Sequence, residues 1–131
     1  MNEHPHSFPK SEHLCGEKRI ARLFTQGEAF IAYPLRVVFL LEEKKDTEFV
    51  SAMVSVPKKR FKRAVKRNLL KRRMREAYRL NKTELMVKME EKQLQLHIAF
   101  NYVSNDLLEF DKIEKKMKIA IQKILEKVDL K

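Results

Sequence analysis

The chain has 131 residues, a formal net charge of +11, 44% hydrophobic residues with eight Phe, and a single cysteine, Cys15. One domain with a modest core fits that length and composition, and a disordered tail does not. No run approaches the roughly 18 apolar residues of a membrane span, the start MNEHPHSFPKSEH has no signal-like apolar stretch, and one cysteine excludes a disulfide framework, so a cytoplasmic protein is expected.

Residues 1–12 combine two prolines, two histidines and polar side chains without periodicity, and read as a flexible lead-in to a single domain over residues 13–131. His4, His6 and His13 match no metal-ligand spacing. From Glu17 to Gln26, Ile20, Leu23 and Phe24 mark one face of a short helix, with Gly27 at the position of a C-terminal cap. Residues 29–33 and 35–41 read as two strands, or one broken strand, interrupted at Pro34, and the charged turn EEKKDTE leads to FVSAMVSV, residues 49–56. The spacing predicts that this strand pairs with the one before it as an antiparallel meander, closed by Pro57, which has no amide to donate.

From Lys58 onward Gly and Pro are absent through Leu80 and on towards Lys92, which predicts a helix, bent or broken near Asn81. The run LQLHIAFNYV, residues 94–103, puts Leu94, Leu96, Ile98 and Phe100 on one face of a fourth strand. A last helix is predicted over 106–128, where Ile113, Met117, Ala120, Ile121, Ile124 and Val128 recur at helical spacing. The element order, α-β-β-β-α-β-α, predicts an α+β sandwich with helices packed on one sheet.

The charge is local. Residues 58–79, KKRFKRAVKRNLLKRRMREAYR, hold twelve Lys or Arg against one acid, Glu76, so the rest of the chain sums to zero. Arg63, Arg67, Lys71, Arg75 and Arg79 recur every fourth residue, a ladder that drifts about 40° per step round a helix. Lys66, Arg72 and Arg73 widen it, while Val65, Leu69, Leu70, Met74, Ala77 and Tyr78 are the apolar positions available to hold the helix on the sheet. Like charges in line repel unless a polyanion neutralises them together, with release of counterions. A solvated face would mix signs, and a membrane or calmodulin-type helix would want a broad apolar face with Trp or Phe. A basic zipper would need a leucine heptad after Leu80. A sheet with exposed aromatics suits unpaired RNA best.

KRAVKRNLLKRRMREAYR resembles the signature helix of the bacterial ribonuclease P protein component, with Arg67, Asn68, Lys71, Arg72, Arg75, Glu76, Tyr78 and Arg79 at matching positions and Lys58 and Lys59 closing the preceding strand. The likeness spans roughly residues 14–128. It departs at Leu69, where the family carries an arginine, for which Lys66 or Arg73 could substitute, and at Ile20, where the family often has the first of two aromatics whose second is Phe24.

The resemblance implies a mostly antiparallel four-stranded sheet with a left-handed βαβ crossover, of the kind seen in ribosomal protein S5 domain 2, against the general rule of handedness. It implies a protein that supplies no catalytic group and binds no cofactor itself. The catalytic RNA subunit holds the Mg²⁺ ions and removes the 5′ leader of precursor tRNA, and the protein is expected to be a monomer, 1:1 with that RNA. Arg63, Lys66, Arg67, Asn68, Lys71, Arg72, Arg75 and Arg79 are then the residues for the catalytic RNA. Phe24, Arg36, Val38, Lys58 and Lys59 are those for the leader, where stacking tolerates sequence variation. His97 reads as a strand histidine rather than a general base. The alternative is a ribosomal or other structural RNA-binding protein with no processing role.

Overall fold

A computed structural model describes residues 8–45 and 48–130. After a single 3-10 turn at Lys10–Glu12 come α1 (Glu17–Gln26), β1 (Glu28–Ala32), β2 (Leu35–Glu43), β3 (Val50–Ser55), α2 (Ala64–Asn81), α3 (Thr83–Lys92), β4 (Leu94–Tyr102) and α4 (Phe110–Asp129). His4 and His6 lie outside the described residues.

The strands form one sheet in the order β1-β2-β4-β3. β1 runs antiparallel to β2 and β2 to β4, whereas β3 runs parallel to β4. The expected β2–β3 meander is therefore corrected, because β4 lies between the two strands. The reason lies in β4 itself, which buries Leu96, Ile98, Phe100 and Tyr102 on one face and Gln95, His97 and Ala99 on the other. Such a strand belongs in the middle of a sheet, and α2 with α3 supplies the long connection that a parallel pair requires.

The two faces of the sheet are covered unequally. Val37, Phe39, Val50, Ala52, Ile98 and Phe100 pack against Leu70, Met74, Ala77 and Tyr78 of α2 and against Ile113, Met117, Ile121 and Ile124 of α4. Beneath α1 the cluster is Leu14, Leu23, Val38 and Ala99, with Ile20, Leu40 and Met53 partly buried around it. Gly27 ends α1 at an ordinary φ of −76°. Close approach explains this glycine, since a Cβ there would lie 2.4 Å from the Leu23 carbonyl oxygen and 2.8 Å from that of Phe39.

Residues 8–14 strap the β3 edge. His13 bridges Ala52 in parallel, and the Leu14 amide donates to the Ala52 carbonyl at 2.8 Å. Glu12 and Lys82 form a buried ion pair, with Lys82 at the break between α2 and α3. Phe8 packs edge-on against Tyr78, with ring centroids 5.1 Å apart. The boundary expected at residue 13 thus falls within a packed segment.

Two helix starts differ from expectation. α2 begins at Ala64, not Lys58, because Phe61 is drawn into the core beside Tyr102 and the chain turns over Pro57–Arg60 to deliver it. α4 begins at Phe110, not Asp106. The Tyr102 hydroxyl donates to the Asp106 carbonyl and accepts from the Leu108 amide, and Ser104 Oγ accepts from the Asp106 amide, so residues 104–108 are held as a loop.

Candidate nucleic-acid interface

Helix α2 carries most of the basic segment. Its buried residues begin at Leu70, while Val65 is 78% exposed and Leu69 half-buried, so neither anchors the helix as expected. Leu70, Met74, Ala77 and Tyr78 define the inward direction. The opposite side carries Asn68, Arg72, Arg75 and Arg79, at steps of four, three and four, which stay in line on a helix where a strict step of four drifts. Asn68, Arg72 and Arg75 are exposed, as is Lys66, and Arg79 is half-buried.

The predicted ladder therefore divides. Arg63 caps the helix from outside it and is exposed. Arg67 turns back, its Nη1 donating to the carbonyls of Phe61 and Lys62 at 2.7 and 2.8 Å, and so ties down the loop that leads into the helix. Lys71 is half-buried on the flank. Arg73 reaches the Leu108 carbonyl at 2.5 Å, fastening the loop before α4. Of the two residues that could replace the arginine absent at Leu69, Lys66 is the exposed one.

Glu76 pairs with Arg79, Oε2 accepting from Nε at 3.1 Å and Oε1 from Nη2 at 2.5 Å. That bidentate contact holds the Glu76 carboxyl below its ordinary pKa and raises the Arg79 guanidinium. The single acid of the basic segment thus orients one cation. It does not cancel the strip.

The α1 side of the sheet offers a second surface. The strand register places Ile31, Arg36, Asn101 and Ser55 in one row across all four strands. In the adjacent row of Ala29, Val38, Ala99 and Met53, the last three lie under α1 while Ala29 is exposed. In the open row Ile31 is 60% exposed and Arg36 exposed, while Ser55 Oγ donates to Asn101 Oδ1 at 2.5 Å. Tyr33 is 55% exposed in the turn beyond β1, and Phe24 is 43% exposed on the flank of α1. Lys58 and Lys59 are exposed just past the end of β3. Val38 differs from the other leader candidates, being 2% exposed and closed over by Leu23. It supports α1 and presents nothing to a ligand.

Ile31, Ser55 and Asn101 escaped the sequence reading because their shared row depends on β4 lying between β2 and β3, and Tyr33 because it stands in the turn beyond β1. The position of α1 above them is fixed by Arg22, whose Nη2 donates to Glu42 Oε1 at 2.8 Å, and His97 Nε2 lies 3.0 Å from the same oxygen. His97 is thereby a strut under α1. Among the described residues no group of three or more His, Cys, Asp or Glu is arranged to hold a metal ion, and no helix is long and apolar enough to cross a membrane.

The Ribonuclease P family model matches residues 8–125. The chain belongs to the ribonuclease P protein family. The ribonuclease P protein component of Porphyromonas gingivalis is 46% identical over 115 residues, covering 88% of this chain and 84% of that one. The component from Chlorobium phaeobacteroides is 34% identical over 108 residues, covering 76% and 74%. The structure of the Staphylococcus aureus RNase P protein has the same fold, with a TM-score of 0.68 at 19% identity over 88% of this chain and 96% of that one. The chain is accordingly the protein subunit of the endoribonuclease that matures the 5′ end of tRNA, a partner of ribonuclease P RNA and precursor tRNA.

Proposed function

We propose that the two surfaces divide the work of the subunit. Lys66, Asn68, Arg72, Arg75 and Arg79 contact phosphates of the catalytic RNA along α2, with Arg63, Arg67 and Lys71 shaping the flank and the start of that helix. The open row of the sheet takes the unpaired 5′ leader. There Phe24 offers a face for stacking, Ile31 and Tyr33 an apolar border, and Arg36, Lys58 and Lys59 phosphate contacts.

The observation that carries this reading is the placement of the charge. The whole net charge of +11 lies in residues 58–79, and the outward cations of that segment stand in line on α2. A polyanion laid along such a strip releases counterions at each contact, which gives affinity without demanding a base sequence.

The protein supplies no nucleophile in this scheme. The hydrolytic step and its Mg²⁺ ions belong to the RNA subunit, and the protein raises affinity for substrates that still carry a leader. We take the chain as one RNA-binding domain over residues 13–131 with the strap packed on it, monomeric, 1:1 with the RNA and cytoplasmic. The test is to add the purified chain to a bacterial ribonuclease P RNA at low Mg²⁺ and follow precursor-tRNA cleavage. Stimulation over RNA alone is expected, and equal rates with and without protein would overturn the proposal.

A further inference from the structure

Where the N-terminal strap meets α2 there is a cavity of about 260 Å³ lined by Phe8, His13, Arg72, Arg75, Glu76 and Arg79. Its walls come from segments some sixty residues apart, joined by the buried Glu12–Lys82 ion pair. The Phe8 and His13 rings lie 4.2 Å apart between centroids at 40°. From beneath, Phe8 is supported by the edge of Tyr78 and by Lys82 Nζ, 5.6 Å from the ring centre. His13 is held by its main-chain bridge to Ala52, and its Nε2 lies 3.3 Å from the Phe8 carbonyl oxygen. Arg79 is aligned by Glu76, whereas Arg72 and Arg75 are exposed and make no hydrogen bond or ion pair among the described residues.

We infer that this cavity binds one unpaired ribonucleotide of an RNA partner, with the base against the Phe8 and His13 rings and the flanking phosphates on Arg72 and Arg75. The inference rests on the reading of α2 as an RNA-binding face and adds a base-binding site to what is otherwise a phosphate-binding strip. Cations alone would serve any polyanion, but aromatic rings set beside them suit a partner that has both a π face and a charged backbone. A base inside a duplex is already stacked and cannot present its face to Phe8, so the site selects single strands, loops or bulges. Because the rings and Arg79 are fixed by contacts within the chain, little ordering is required on binding.

The test uses the full chain and three probes: a single-stranded RNA octamer carrying one 2-aminopurine, the same octamer annealed to its complement, and inorganic phosphate. NMR of the His13 ring reports locally on the cavity. The single strand is expected to shift the His13 ring protons upfield and to quench 2-aminopurine, while the duplex and inorganic phosphate produce neither effect. Phe8→Leu retains apolar bulk against Tyr78 and removes the ring. It is expected to weaken single-strand binding about 5-fold or more, within the range of lost base stacking, and to abolish the His13 shift. If Phe8→Leu melts early, Arg75→Gln, at an exposed position, tests the same site and is expected to reduce the His13 shift at equal octamer concentration. A silent His13, or equal shifts with octamer, duplex and phosphate, would overturn the inference. Wild-type chain that stimulates cleavage at low Mg²⁺ while His13 stays silent fails only this inference, whereas loss of stimulation fails the reading beneath it.

Discussion

The two faces of the sheet are built to different ends. The face under α2 and α4 is closed, and most of the core lies there, including Tyr78, Phe100, Ile113 and Met117. The face under α1 holds a cluster of four buried residues and then stops, leaving Ile31 and Arg36 uncovered. Closing that row with a longer α1 would bury more apolar area, at about 25 cal/mol per Å². The structure leaves that stabilisation unused. The proposed leader surface has to stay open to take a single strand, and the larger core on the closed face makes this tolerable.

The contrast breaks most severely at Lys82. Lys82→Ala leaves the Glu12 carboxylate buried without its partner, and a loss of about 3–5 kcal/mol in urea unfolding is expected. A loss below about 1 kcal/mol would mean that the strap contributes little to the closed side. On the open side, Phe24→Ala is expected to leave stability nearly unchanged and to weaken precursor tRNA relative to mature tRNA by about 1–3 kcal/mol. Equal losses for the two substrates would remove Phe24 from the leader surface.

A finer comparison separates two arginines on α2. Arg72→Ala is expected to make the salt dependence of RNA affinity shallower by about 0.7–0.9 in slope, one phosphate contact. Arg67→Ala should instead lower the melting temperature, because it frees the Phe61 and Lys62 carbonyls, with a smaller change in slope. The reverse pattern would reassign the two side chains.

The smallest effect concerns Tyr78. Its hydroxyl is buried with no hydrogen-bond partner among the described residues, and burial, with the nearby Glu12 charge, pushes the phenol well above its ordinary pKa. The unfolded chain releases that proton first, so stability falls as pH rises above about 10. Tyr78→Phe should be neutral or slightly stabilising at pH 7 and should flatten this alkaline loss. An unchanged alkaline limb would show that other groups control it.

Much of this was legible in the chain. The span of α1 follows from Ile20, Leu23 and Gly27, and the expected bend or break near Asn81 falls where α2 gives way to α3. The signature run carries the likeness to the family by itself. The β2–β3 pairing failed because hairpin reasoning weighs neighbours in sequence, while strand order is set by which strand can be buried on both faces. The charge of Arg67 and Arg73 is visible in sequence, and the carbonyls of Phe61, Lys62 and Leu108 that accept from them are not.

The sequence by itself determined the concentration of charge in residues 58–79, the helical and strand periods, and the family, since these depend on residue type and local spacing. Only the tertiary structure decided which cations face outward, which row of the sheet stays bare, and that Phe8 and His13 stand beside the arginines of α2. Those depend on strand order and on contacts between segments far apart in the chain, and no local pattern encodes them.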